Sequence, residues 1–509
     1  MDEKTLKGEN ESLGRDLDLG QVLAFQATSE EERKLLWKLD LILVPLMGVG
    51  YFFQFLDKLA LSQATLFDLR EDLNMHGAQY SWASAIFYFG YFAWSWPSTY
   101  IIVRLPIGKY LAVSVFIWGG ILMCHAACSN WSGLMAVRFF LGVGEAAIAP
   151  GFTLLTGMFF KREEQPIRQV FRSEPTKDSL TRSRQSAWFF GNCIAALIGG
   201  LIAYGIGNIN TSAIAHWKLL FLILGAITSA YGLVLFVLLP DSPAKAMFLK
   251  PNERVIAVQR IMKDKTGVMD TGVFKWSQAV DALKDPQMWF LVLNSFTSNL
   301  ANGGLTSFGT IITAGFGFSD LKALLLQMPQ GGAEIVFLII TSIAVTYIPS
   351  SRILGMCFNT IVSIVGLILI WKLDPDNQAG RMVGLTLAIV YAINLPISLS
   401  VVTSNVAGLS KKSVVSSLLF IAYCVGNLVG PQFFLASEEP SYPTGIKASM
   451  AGLVLSLFFL ICLYFYYMWE NRRRDRVYGL PEQMTVGAEL QDEISNKTDR
   501  EIKSFRYLL

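Results

Sequence analysis

The sequence predicts an all-α integral membrane protein of about twelve transmembrane helices in two six-helix bundles, with both termini cytoplasmic. Three observations carry this prediction. The chain is 53% hydrophobic and only 16% charged, against about 25% charge in a typical soluble domain, and its mean hydropathy is +0.44. Apolar segments long enough to cross a bilayer as a helix recur along nearly all of its 509 residues. Lys and Arg are divided unevenly between alternate loops. The net charge of +3 says little about partners; the bilayer is the expected environment, and no nucleic-acid partner is expected.

The expected spans lie near 39–58, 80–103, 110–128, 131–160, 187–206, 217–240, 288–314, 323–348, 353–371, 380–405, 413–434 and 448–469. The fourth and seventh runs exceed one bilayer thickness, so their helices must tilt or extend beyond it. Gly142, Gly144 and Pro150, then Asn299, Asn302, Gly303 and Gly304, then Asn394 and Pro396 interrupt three spans. Broken helices at membrane depth are tolerated where they line a cavity. With the N-terminus inside, the inner loops hold Arg104 and Lys109, Lys161, Arg162 and Arg168, eight more cations from Lys245 to Lys284, Arg352, Lys411 and Lys412, and the tail adds Arg472, Arg473, Arg474 and Arg476. The outer loops hold Arg70, Lys218, Lys322, Lys372, Arg381 and Lys447.

Residues 1–38 form a polar N-terminal tail in which no signal peptide is expected. The first bundle takes 39–240. A polar inner loop, 241–287, contains an amphipathic stretch at 253–263, with Val255, Ile256, Val258 and Ile261 among charges, expected to lie along the inner membrane surface. The second bundle takes 288–470, and 471–509 form a cytoplasmic C-terminal tail in which Arg472, Arg473 and Arg474 read as a positive-inside anchor. Six spans, a long inner loop and six more is the plan of the major facilitator superfamily, whose halves are related repeats about a central site.

Charges inside the apolar runs are costly and mark function. Asp57 and Lys58 close the first span, and Arg138 and Glu145 lie within the fourth. A carboxylate substrate needs a fixed cation to offset its dehydration, and Lys58 or Arg138 can supply one. Seven residues of helix turn through about 700° and rise about 10 Å, so Arg138 and Glu145 share a face but sit too far apart to pair without strain. Glu145 therefore titrates separately or finds a partner on another helix. Proton loading of a carboxyl withdrawn from water can then be coupled to anion binding. Asn192, Asn294, Ser298, Asn302, Gln327 and Asn394 are further polar candidates for lining the site.

Several motifs make the family more specific. Asp57-Lys58-Leu59-Ala60-Leu61-Ser62-Gln63-Ala64 resembles the first-helix signature of the anion:cation symporter branch of the superfamily. Arg138-Phe139-Phe140-Leu141-Gly142-Val143-Gly144-Glu145-Ala146, followed by Pro150, resembles its fourth-helix signature. Asp68-Leu69-Arg70-Glu71-Asp72-Leu73 with Tyr80-Ser81-Trp82, Gly157-Met158-Phe159-Phe160, and Phe420-Ile421-Ala422-Tyr423-Cys424-Val425-Gly426-Asn427 resemble the fungal allantoate-permease group within that branch. The resemblance covers about 35–475. It implies that Asp57 and Glu145 are the protonatable carboxylates, that Lys58 stands where the branch has a substrate-facing arginine, and that Arg138 partners the fourth-helix glutamate. It implies that Tyr91 and Asn427 line the site. Two departures stand out: Lys58 offers a point charge in place of a bidentate fork, and Phe55 stands where some relatives have tyrosine. The loop Arg104-Leu105-Pro106-Ile107-Gly108-Lys109 occupies the place of the family's inner gating loop and lacks its acidic residue.

Other features read blandly. The aromatic run Phe87, Tyr88, Phe89, Tyr91, Phe92, Trp94 and Trp96 is expected mostly as lipid-facing or interfacial packing. Six cysteines and three histidines show no metal-ligand spacing, so no metal and no cofactor beyond the proton gradient is expected. No nucleophile–base set or nucleotide loop points to an enzyme. Residues 170–185 separate Arg168-Gln169 from Ser186, and Arg-Gln recurs at Arg184-Gln185 at their end, whereas in the resembling family Arg-Gln runs almost directly into the fifth helix. Valine codons begin GT, one glutamine codon ends AG, and Leu180-Thr181 can be encoded by a fungal branch-site sequence; the stretch reads as a retained short intron, with a genuine loop as the alternative. The expected function is proton-coupled uptake, by a monomer in a fungal plasma membrane, of a small organic anion such as allantoate, a ureido acid or a pyridine carboxylate. Export of a secondary metabolite or drug by proton antiport, and nutrient sensing without transport, are the alternatives.

Overall fold

The computed structural model describes residues 28–102, 104–160, 184–209, 214–263, 274–348, 350–479 and 497–509. Of the insertion at 170–185, only Arg184 and Gln185 fall within them; the rest of the stretch lies outside the described residues. Every regular element described is helical.

Ten helices combine the length and apolarity to cross a membrane. Two more, Gln79–Ile102 and Pro286–Ala314, are long enough but carry Tyr, Trp and Ser, or Asn, Ser and Thr, along their length. They bring the total among the described residues to twelve. In chain order these are α1 Ser29–Ala64, α2 Gln79–Ile102, α3 Ile107–Cys124, α4 Trp131–Phe159, α5 Arg184–Gly207 and α6 His216–Leu238. The second half comprises α7 Pro286–Ala314, α8 Asp320–Tyr347, α9 Arg352–Lys372, α10 Gln378–Asn405, α11 Leu409–Val429 and α12 Pro443–Tyr478. Of the three interruptions expected, those in α4 and α10 appear, α4 at Ala146 and Ala147 and α10 as a 3-10 turn at Val390–Ile393, whereas α7 runs as one helix through Asn299, Asn302, Gly303 and Gly304.

Local chemistry sets where several helices begin. The Thr28 hydroxyl accepts from the Glu31 N–H at 3.4 Å, while the Glu31 carboxylate accepts from the Thr28 N–H at 3.0 Å. This reciprocal cap, with Glu30, Glu31 and Glu32 in the first turn, starts α1 well before its apolar run. Asn130, Asp285 and Asn377 cap α4, α7 and α10 through their side-chain oxygens. Large apolar side chains left exposed, such as Leu233, Val234, Phe236 and Val237 on α6, face outward, as they must where lipid is the solvent.

Within the first half α1 packs on α5, α2 on α4 and α3 on α6; within the second, α7 packs on α11 and α12, and α9 on α10 and α12. The halves meet along α1–α7, α2–α11 and α5–α8. The end bearing both chain tails is called inner here and the opposite end outer. At the outer end the halves are bolted together. Gln63 on α1 donates to Gln327 at 3.0 Å, and Gln327 in turn donates to Thr310 on α7. Tyr80 on α2 donates to the Ser307 carbonyl at 2.6 Å, and Arg70 grips both Glu439 oxygens at 2.9 and 2.5 Å.

At the inner end, ion pairs tie elements of the same half. Lys38 on α1 pairs with Glu253 of the helix Pro251–Lys263 at 2.7 Å, so the amphipathic stretch is helical and docked on the first half. The Lys109 N–H donates to Asp241 at 3.2 Å, so an acid just beyond the end of α6 meets the loop around residue 104. Lys411, with no exposed surface, sits among Asp285, Asp499 and Asp281 at 2.7, 2.9 and 3.0 Å. Asp499 belongs to the last stretch of chain, 497–509, which folds back on the second half. Arg474 is buried there, and its guanidinium donates to Glu470 at 2.9 Å and to the carbonyls of Asp499, Ile502 and Phe505 at 2.8–3.2 Å. Of the three arginines expected to anchor the tail to lipid, Arg474 instead brackets the tail, because the chain itself supplies its acceptors.

Candidate functional site

Four charged side chains from two helices meet in the first half. Asp57 and Lys58 come from α1, Arg138 and Glu145 from α4. Gly142 permits this approach: a Cβ there would fall 2.0 Å from the Phe87 carbonyl oxygen, so only glycine lets α4 press this closely on α2. Arg138 then reaches across, its Nε donating to the Ala83 carbonyl on α2 at 3.2 Å.

Glu145 pairs with Lys58, Nζ to Oε2 3.3 Å, and not with Arg138. The partner implied by the family resemblance is thus replaced by one on another helix, as two turns of separation along α4 require. Glu145 and Asp57 have no exposed surface. Among the described residues neither Asp57 oxygen has a hydrogen-bond partner, and neither does Nη1 of Arg138. The buried Trp118 indole lies close to Asp57 without reaching hydrogen-bond geometry, and Gln54 lies beside Glu145 and Tyr91.

Phe87 on α2 joins the two cations. Lys58 Nζ and Arg138 Cζ each lie 5.4 Å from its ring centroid, within cation–π range. Tyr91 stacks on Phe87 at 5.9 Å and meets Phe420 of α11 at 5.4 Å; Tyr88 meets Tyr423 at 6.1 Å. The aromatic run of α2 therefore divides by face. Phe87, Tyr88 and Tyr91 are buried toward the second half, whereas Phe89, Phe92, Trp94 and Trp96 are exposed.

The second half answers with amides. Asn302 on α7 donates to Asn427 on α11 at 2.7 Å, and Asn427 donates to Asn299 and to the Tyr423 carbonyl, both at 2.9 Å. Through Tyr423 and Tyr88 this ladder adjoins the aromatic layer above the cations. Asn192 lies on α5, its Oδ1 buried without a partner. Asn394 is not brought to this cluster. Its amide donates to the Met356 carbonyl and the Thr360 hydroxyl, both 3.1 Å, and accepts from Asn359 at 2.9 Å, so it fastens the α10 bend to α9. Sequence reasoning missed Phe87, Gln54 and Trp118 as neighbours of the charges; the i, i+4 spacing of Phe87 and Tyr91 was the signal for the first.

A twelve-helix bundle with buried charges in one half and amides in the other defines a membrane carrier for a small molecule. The family model described as Major Facilitator Superfamily matches residues 47–431, and the chain belongs to that superfamily. It is 37% identical over 485 residues to the uncharacterized transporter C460.05 of Schizosaccharomyces pombe, covering 95% of this chain and 87% of the relative. It is 34% identical over 498 residues to the allantoate permease of Saccharomyces cerevisiae, covering 95% and 88%. A crystal structure of a bacterial homologue of the human lysosomal transporter Spinster, inward-facing and unoccupied, matches at a TM-score of 0.56 and 15% identity over 83% of this chain and 96% of that one. That likeness is one of fold alone. The chain is a multi-pass membrane transporter, not an enzyme, and the motif reading that grouped it with allantoate permease agrees with these relatives.

Proposed function

We propose that the protein takes up a small organic carboxylate together with protons. The observation that carries this reading is the charge balance of the buried cluster. With both acids ionised, Asp57, Glu145, Lys58 and Arg138 sum to zero. Each proton gained leaves one uncompensated cation, the charge that a monocarboxylate neutralises. Lys58 is the movable element: with Glu145 ionised it is held at 3.3 Å, and with Glu145 protonated it is released to the substrate. Asp57 and Arg138, which have unpartnered atoms, offer a second proton site and a second anchor. Tyr91 and the amide ladder of Asn302 and Asn427 form the wall around the anion, and Asn192, whose Oδ1 has no partner among the described residues, offers a hydrogen bond to the substrate's own donors.

Two neighbouring charges with opposite duties explain coupling without a cofactor: anion binding favours protonation, and the loaded, neutral cluster can be enclosed as the halves rock. Both halves of the site come from one chain, which supports a monomer; a carrier that takes its substrate from the medium would sit in the plasma membrane. Allantoate, a ureido acid or a pyridine carboxylate each combines a carboxylate with groups that amides and tyrosines can bond; the relative called allantoate permease favours the first. The test is uptake of labelled carboxylates into proteoliposomes with acid or neutral medium outside. Uptake should rise on the acid side and collapse with a protonophore. Uptake indifferent to the protonophore at clamped membrane potential would overturn proton symport.

A further inference from the structure

Glu334 on α8 is a third buried carboxyl at membrane depth, only 4% exposed, and the cluster of Lys58 and Glu145 does not use it. It lies one helical turn from Gly331, on the same face. A Cβ at Gly331 would come within 2.2 Å of the Leu197 backbone nitrogen on α5, so this face of α8 presses directly against the opposite half. Facing Glu334 are Cys193, one turn before Leu197 on α5, and Tyr391 in the α10 bend. Both are buried. Among the described residues no cation answers it. Helix α7 carries no charged residue at all; on α5, α9 and α10 the only basic residues are Arg184, Arg352, Lys372 and Arg381, all within a turn of a helix end; on α8 the single cation is Lys322, at its outer start. Among the described residues Glu334 forms no ion pair.

We propose that Glu334 is a proton-binding site in the seam between α5 and α8, separate from Asp57 and Glu145, and that a proton there is what lets the two halves close along this seam. An ionised carboxylate with no counter-charge in a buried helix–helix contact is strongly disfavoured, so the closed seam holds the acid neutral. When the halves rock apart, water enters between α5 and α8 and the proton leaves to it. For its consequence in transport this extends, and rests on, the proton-coupled reading above; for the site itself it does not.

Infrared difference spectroscopy of the full-length protein in lipid, without substrate or gradient, reads the proton directly through the carbonyl stretch of a protonated acid. Wild type should show such a band at neutral pH that disappears in Glu334→Gln, shifts in Glu334→Asp, and persists in Asp57→Asn and Glu145→Gln. In substrate counterflow, Glu334→Gln should still exchange but with a shallower dependence of rate on pH, and Glu334→Asp should restore the slope. A spectrum unchanged by either substitution at Glu334, or a counterflow profile in Glu334→Gln that follows wild type at every pH, overturns the proposal. Failure of pH-driven accumulation in wild type with the Glu334 band intact would instead overturn proton symport while leaving the seam site standing.

Discussion

The two halves of the site are built on opposite principles. The first half gathers four charges and leaves much of their capacity unused: Asp57 accepts nothing, and Arg138 keeps a free Nη1. The second half gathers three asparagines and closes them on one another, from Asn302 to Asn427 to Asn299. Unsatisfied buried charge is costly and persists where something else, a proton or an anion, completes it. A closed amide ladder is content without a ligand and serves as a rigid wall. The difference teaches which half carries the chemistry of coupling and which the shape.

The largest loss should come at Lys58. Lys58→Ala leaves Glu145 and the substrate carboxylate without their cation, a loss of about 3–5 kcal/mol for breaking a buried pair. Substrate titration of the purified variant should show binding weakened by two orders of magnitude or more, and wild-type affinity would remove Lys58 from the site.

Glu145→Gln sharpens the comparison by separating coupling from binding. The amide keeps the shape of the protonated acid and frees Lys58 permanently. Counterflow of substrate should survive in proteoliposomes while accumulation driven by a pH gradient fails. Because Asp57 can hold a proton of its own, both activities must be compared in one preparation; undiminished accumulation would leave Asp57 as the sole coupling acid.

In the second half the effect should be smaller and of a different kind. Asn427→Ala strips Asn302 and Asn299 of their partner, costing about 1–3 kcal/mol. Thermal unfolding in detergent should show a lower Tm, and affinity should fall less than for Lys58→Ala. An affinity loss equal to that of Lys58→Ala would show that the amides do more than shape the wall.

The smallest effect belongs to the outer rim. Arg70 and Glu439 are partly exposed, and such pairs are worth about 0–1 kcal/mol. Arg70→Gln should leave binding untouched and only modestly raise labelling of outer-end cysteines introduced between the halves, with restoration by the exchange of Arg70→Glu and Glu439→Arg together.

Much of this was legible beforehand for one reason: lipid tolerates few sequences. A spanning helix must be a long apolar run, so the twelve spans were readable, including α2 and α7, whose polar residues mark them as lining the interior. Charge at membrane depth is expensive enough that Asp57, Lys58, Arg138 and Glu145 announced themselves. Less was readable where polar groups are cheap. Asn394 looked like a site residue and instead fastens α10 to α9. Apart from Tyr91, the run from Phe87 to Trp96 looked mostly lipid-facing or interfacial, though a helix that turns every 3.6 residues must divide it, and Phe87 and Tyr88 face inward with Tyr91. The last residues, 497–509, carry no apolar run, yet Tyr507 stacks on Tyr467 at 4.9 Å and Arg474 holds the tail by its carbonyls.

The membrane class, the helix count and four of the costly charges follow from the sequence alone, since each rests on local composition and the energetics of burial in lipid; Glu334, inside an apolar run of its own, was passed over. Only the tertiary structure decided that Glu145 answers Lys58, that Phe87 lies under both cations, and that Glu334 faces the opposite half without a counter-charge. Those are distances between helices far apart in sequence, and a helical period records which face a residue occupies but not what the neighbouring helix brings to meet it.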